Sequence, residues 1–184
     1  QEPSQDIVIV AVDDFSFTWT GYQWPWPRSY FAEIVDQINK GGGKVVGMDI
    51  ILSEQDEDPA NDKALAEALE EANAAVSVVQ LFTTNTDGQI VYTYAQPIAP
   101  FRSALDGTGT SAVKRDEDAI VRSVQAFDEY NDRLIYHWAF DIASVYLGVD
   151  KPSNPTDISL EFNEQTVPLQ NGRMFVNFSG PAET

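Results

Sequence analysis

Two carboxylates stand at or near the ends of apolar runs, and their types and spacing could do chemistry. Asp13 closes Ile7-Val8-Ile9-Val10-Ala11-Val12, and Asp49 falls late in a second run, residues 44–52. Arg28 stands between them in sequence, at the end of Trp24-Pro25-Trp26-Pro27. If the two runs are neighbouring strands of a parallel sheet, both carboxylates face the crevice beyond the strands' carboxyl ends, where open α/β sheets bind ligands. Three readings then stand open. The carboxylates could hold a hard cation such as Mg²⁺ or Ca²⁺, which takes oxygen ligands, with Asp13 and Asp49 as the candidate metal ligands. They could accept hydrogen bonds from a polar ligand. Or Arg28 could pair with them and hold the loop in place, since buried carboxylates are generally paired or hydrogen-bonded.

The loop itself is unusual. Residues 13–29 hold six aromatics, among them three of the chain's four tryptophans. Apolar surface of that extent must be buried against the domain or hold something else. Trp24 and Trp26 each precede a proline, which favours extended backbone at the residue before it. In extended backbone two residues separated by one point to the same side, so the pair could pack over the end of a sheet or form the aromatic wall of a ligand pocket.

Other charged groups offer less. Asp116-Glu117-Asp118 lacks the glycine and the later glutamate of an EF-hand, so an acidic turn with Arg122 on the next strand as counter-charge is the better reading. The acidic residues 54–58 read as a solvated face. His137 and Asp141 stand four apart, a spacing that lets side chains pair on a helix, with no nucleophile in a recognisable elbow nearby. Gly41-Gly42-Gly43 precedes a strand, whereas a phosphate loop needs its glycines between strand and helix. Asn177-Phe178-Ser179 matches a glycosylation sequon.

These residues must be positioned by a small set of elements. Residues 7–12 are a continuous apolar run of strand length, 44–52 a second candidate broken by Asp49 and 75–82 a third in the same pattern, the signature of strands buried on both faces. Between them, Phe31, Ile34, Val35 and Ile38 mark a core-facing helix opened by Ser29 and stopped by the glycines. Ala64, Leu65, Ala68, Leu69 and Ala72 mark a second helix, capped by Asn61 or Asp62. Residues 7–82 thus read as β-α-β-α-β with right-handed crossovers. Beyond them the pattern predicts a turn at 85–88, a short strand at 90–94, loop over 97–110 and a strand pair at 110–114 and 120–128. A third helix over 134–147 stopped by Gly148 follows, then short strands at 158–162 and 173–178. The expected fold is α/β: a parallel sheet extended by antiparallel strands, a mixed sheet flanked by helices.

Composition narrows the function classes. The chain has 184 residues, 43% hydrophobic, and one domain spanning residues 1–184 is expected. A net charge of −18 repels phosphate backbones and anionic headgroups, which argues against nucleic acid as a partner. The same self-repulsion predicts that salt or divalent cations stabilise the protein. Cysteine is absent and histidine single, which removes thiolate chemistry and most imidazole-based catalysis. No run approaches the roughly 18 apolar residues of a membrane span, and the abrupt ends suggest a piece of a longer protein.

The order IVIVAVDDFSF, WPWPRSYFAEIV, GGGKVVGMDIIL, NDKALAEALEEA, DEDAIVRSV and FVNFSGP resembles the CHASE sensor domain, type 2. The resemblance runs from about Asp6 to Pro181 and is most specific at Asp13 and Ser16, at Trp24 to Arg28, and at Asp49. Two departures stand out: Ala119 where the family usually turns on glycine, and Phe178-Ser179 where Tyr and Arg are common. The resemblance implies an extracytoplasmic, periplasmic sensory domain of a bacterial membrane receptor, held by transmembrane helices outside this piece. Its outputs would be adenylate or diguanylate cyclases, histidine kinases or Ser/Thr kinases.

The expectation is therefore a sensor that is not itself an enzyme and needs no cofactor. Its ligand would be an unidentified small molecule or ion, with Asp13, Ser16 and Asp49 as polar contacts and Trp24 and Trp26 as the apolar wall. Arg28 would contact an anion or brace the carboxylates. Asp116, Asp118 and Arg122 would form a structural or signalling turn. The alternatives are a module that homodimerises or binds another protein without a small ligand, and a metal-dependent hydrolase.

Overall fold

An apolar run becomes a central strand only where the sheet gives it neighbours on both sides, and residues 75–79 have them. The computed structural model describes residues 4–86, 89–113 and 115–177. In it β2 (Ala75–Thr86) pairs in parallel with β1 (Val46–Met48) and with β4 (Gly107–Thr110). Val76 is opposite both Gly47 and Gly107, so β1 and β4 flank β2 on its two edges. Ala75, Val76, Val78 and Val79 are fully buried, as a strand covered on both faces requires. The outer half of β2 pairs antiparallel with β3 (Gln89–Ala95), which makes the sheet mixed.

Helices supply the cover. α2 (Arg28–Lys40) buries Phe31, Ala32 and Val35, and α3 (Pro59–Glu71) buries Leu65, Ala68 and Leu69, each set following helical spacing. With Leu52 and Phe101 of α4 (Ala99–Ala104) they form the main core, into which Val46 and Met48 point. Gly47 points the other way, toward α5 (Trp138–Leu147). A Cβ there would lie 2.8 Å from the Ile142 side chain and 3.1 Å from the Trp138 ring. α5 therefore packs on the opposite face, and the sheet is flanked by helices on both sides.

The second half adds antiparallel pairs, two of them hairpins, β6 (Phe127–Tyr130) with β7 (Arg133–Tyr136) and β8 (Ser159–Phe162) with β9 (Gln165–Pro168), and one long-range, β5 (Ser123–Gln125) with β10 (Arg173–Phe175). Ala126, Phe140, Leu160 and Leu169 build a second, smaller core beneath them.

The mixed α/β class agrees with the sequence reading, but several elements do not. Residues 7–12 form no strand; Ile7, Val8, Ile9 and Val10 are 74%, 81%, 86% and 56% exposed, and only Val12 reaches the core. Both edges of the inner half of β2 are taken, and among the described residues the backbone of 7–12 hydrogen-bonds to no strand. The chain then turns at once into α1 (Asp14–Thr20), a short helix inside what reads as loop. The run 44–52 keeps only three strand residues, and Asp49 lies one residue past their end.

Further corrections concern caps and boundaries. α2 begins at Arg28, with Pro27 and not Ser29 at its cap position, and α3 is capped by Asp58, whose side chain accepts the Ala60 N–H at 2.9 Å. Asn61 and Asp62 lie inside that helix. The span 97–110 is α4 followed by β4, not loop. The strand pair at 110–114 and 120–128 is replaced by β4, β5 and β6, each with other partners. Residues 134–136 are strand, so α5 begins at Trp138 and His137 is its cap, not a member. Gly148 does end α5, in the left-handed region at φ 67°. The turn residues Asp87 and Gly88, and Phe178 and Ser179 of the sequon and the closing motif, lie outside the described residues.

Candidate functional site

Three parallel segments leave the sheet on one side, and the space they enclose is a cavity of about 590 Å³. After β1 come Asp49, Ile50 and Ile51; from the middle of β2 come Val78, Val79 and Gln80; after β4 come Ser111, Ala112 and Val113. Trp24 closes it from the aromatic segment. This is the crevice at the carboxyl ends of parallel strands, and it arises because β1 and β4 stop within three or four residues while β2 runs on.

The residues singled out in sequence divide into those at the crevice and those elsewhere. Asp49 and Trp24 line it; Asp13, Ser16, Trp26 and Arg28 do not. Asp13 is the N-cap of α1. Its Oδ1 accepts the Ser16 N–H at 3.0 Å and the Ser16 hydroxyl at 2.9 Å, and its own N–H donates to Ser16 Oγ at 3.3 Å. That reciprocal capping box holds the Asp13 carboxyl below its ordinary range, the Ser16 N–H contributing most. Both polar candidates are thus committed to a helix end.

Trp24 and Trp26 part company. Trp26 is 6% exposed and sits among Phe17, Tyr30 and Phe31, with ring centroids 5.7–6.2 Å apart, whereas Trp24 is 52% exposed and meets Phe31 edge-on. One tryptophan is core; the other is wall. Arg28 is buried and its N–H donates to Asp56 Oδ2 at 2.8 Å. Burial works against the charge of Asp56, yet bonds from Asn61, the Asp58 N–H and the Arg28 N–H hold its carboxyl below the ordinary range. The segment read as a solvated acidic face therefore contains the carboxylate that accepts the Arg28 backbone N–H, and among the described residues Arg28 forms no ion pair with Asp13 or Asp49.

The acidic turn is a separate device. Arg122 makes two bonds to Asp118, at 2.7 and 2.9 Å, and one to Asp116 at 3.1 Å, and Arg173 approaches Asp116 at 3.5 Å. The Arg122 bonds pull the Asp118 carboxyl down to about 2. Ala119 turns this segment at φ 65°, in the left-handed region.

Behind the crevice lies a polar layer that sequence reasoning missed. His137 is buried, bridges to Thr110 at the end of β4, and accepts the Ala139 N–H at Nδ1. Burial pushes its pKa down, and the charge of Asp49 opposes that. Asp141 pairs with Lys151, not with His137; burial pushes its carboxyl up and Lys151 pulls it back. Ser111 and Gln80 were also unforeseen. The alternation Gly107-Thr108-Gly109-Thr110 was the available signal, a period of two that glycine content disguised as loop.

Among the described residues no three His, Cys, Asp or Glu side chains gather as a metal site would need. No described helix is long and apolar enough to cross a membrane. A family model for the CHASE2 domain matches residues 1–184, the whole chain. No curated protein and no solved structure matches it.

Proposed function

The chain belongs to the CHASE2 domain family, extracytoplasmic sensory domains of signalling receptors, and from that premise we propose that the crevice at the ends of β1 and β4 is the ligand site of a sensor. The observation that carries this reading is that Asp49 and Trp24, far apart in sequence, line one cavity together with Gln80 and Ser111. Apolar walls with a few fixed polar groups are what small-molecule sites consist of, and the volume lies within their usual range of about 300–1,000 Å³. The work proposed for this domain is binding, with a cyclase or kinase elsewhere in the receptor as the output and the periplasm as its location. α5 packs against β2 and β4 and is capped by His137, so it is the element through which occupancy of the crevice would be felt.

The test is amide chemical-shift mapping with a mixed library of small cationic, neutral and anionic compounds. Saturable shifts at Gln80, Ser111 and Asp49 support the site. A library that shifts none of them sinks it.

A second reading rests on a different surface. The exposed run 7–10 and the exposed, stacked pair Phe15 and Trp19 leave apolar surface uncovered, and a second copy of the chain is the proposed cover. Sedimentation over rising concentration, with Ile9→Asp as control, would reveal it; a persistent monomer would exclude it.

A further inference from the structure

The lining of the crevice selects by charge. Asp49 is its one ionisable residue among the described ones; no Lys, Arg or His lines it. The Asp49 carboxylate accepts no hydrogen bond and pairs with no cation among the described residues. Elsewhere Asp141 pairs with Lys151, and Asp116 and Asp118 pair with Arg122. A unit negative charge without a partner among the described residues, exposed in a concave site, raises the local concentration of cations. The net charge of −18 adds a long-range pull of the same sign.

The remaining lining says which kind of cation. A hard divalent ion wants six or more oxygen ligands, and the crevice offers one carboxylate with the neutral side chains of Gln80 and Ser111. Trp24 adds an indole to the same lining, and a cation over an indole face is attracted by the ring quadrupole. Ile50, Ile51 and Val113 supply apolar surface for a carbon skeleton. Resting on the reading of this crevice as a ligand site, we infer that its ligand is a small organic cation, an amine or quaternary ammonium, with Asp49 as counter-ion and Trp24 as the aromatic wall.

Charge can be tested apart from shape. Choline and 3,3-dimethylbutan-1-ol have nearly the same size and differ by the positive nitrogen, and butyrate supplies an anion. Titrations followed at the Gln80 and Ser111 amides should show choline binding at least about tenfold tighter than the alcohol, with affinity falling as salt rises. Asp49→Asn should weaken choline about tenfold and leave the alcohol unchanged. Trp24→Leu should weaken choline more than the alcohol. Asp49 makes no bonds among the described residues, so the Asn variant should keep the parent's melting temperature, which is checked alongside.

Equal affinity for choline and the alcohol, preference for butyrate, or an Asp49→Asn variant that binds choline like the parent would overturn the cation assignment while leaving the site in place. Failure of every compound in the mixed library to shift these amides would overturn the site and the assignment together.

Discussion

Asp49 and His137 are coupled electrostatically: burial disfavours the imidazolium, and the Asp49 carboxylate favours it. Because this histidine is the only one in the chain, its titration is a single curve. In the folded state its pKa lies below the ordinary value of 6.5. Asp49→Asn removes the opposing charge and should lower it further, as should a cation bound against Asp49. Histidine ring shifts followed against pH check both; a rise on either change would contradict the coupling. The sign for stability follows from proton uptake: below 6.5 the unfolded chain binds the proton first, so this contribution is full above that pH and declines as pH falls toward the folded value.

Ala119 is a left-handed residue with a Cβ. That backbone region costs an L-residue about 1–2 kcal/mol, against about 0.5–1 kcal/mol of extra chain entropy that glycine loses on folding. Ala119→Gly should therefore stabilise the protein by about 0.5–1 kcal/mol, read from denaturant midpoints. No gain, or a loss, would mean that the turn relaxes around alanine.

Gly109 should tolerate no side chain. A Cβ there would lie 2.5 Å from the Tyr136 carbonyl oxygen and 2.7 Å from the Trp138 nitrogen, and backbone atoms cannot swing aside. Gly109→Ala should cost about 1–3 kcal/mol, the range for overpacking, and should disturb the crevice because β4 carries Ser111 out of the sheet. Parent-like stability would show that β4 and the start of α5 are not in tight contact.

Arg122→Ala should return the Asp118 carboxyl from about 2 toward the ordinary 3.8, measured by carboxyl carbon shifts against pH. The stabilising effect of the pair is present above the unfolded value and is lost as pH falls through about 2. An unmoved Asp118 would place its acidity in the turn backbone instead.

Asp13→Ala should loosen α1 and leave the crevice alone. The N-cap satisfies orphan N–H groups of the first turn, and α1, with no fully buried residue, is otherwise held to the core through Phe17 on Trp26. Faster amide exchange confined to residues 14–20 is expected; weakened choline binding would instead place Asp13 at the site.

The two halves of the chain were not equally legible. Helices α2 and α3 and strand β2 were plain, because Phe31 with Val35 and Leu65 with Leu69 repeat at helical spacing and residues 75–82 are dominated by apolar, β-branched side chains. The run 7–12 looked just as much like a strand. Its pattern reports affinity for a sheet, whereas burial depends on whether an edge is free, and the inner half of β2 has none. Asp49 and Trp24 were found from the rule for strand ends, but Asp13 failed it because no strand precedes it. Ser111 and Gln80 were hidden, since the crevice needs β4 beside β2, and the glycines of β4, Gly107 against Asp141 and Gly109 against Tyr136 and Trp138, read as loop.

The bare run at residues 7–10 also bears on how the protein behaves as a colloid. Four uncharged β-branched residues in extended chain are adhesive to their own kind, and what keeps molecules apart is their shared negative charge. The reach of that repulsion shrinks to about 8 Å at physiological salt. Dilute buffer should therefore keep preparations clear, and salt that relieves repulsion within each molecule should also bring neighbouring molecules together.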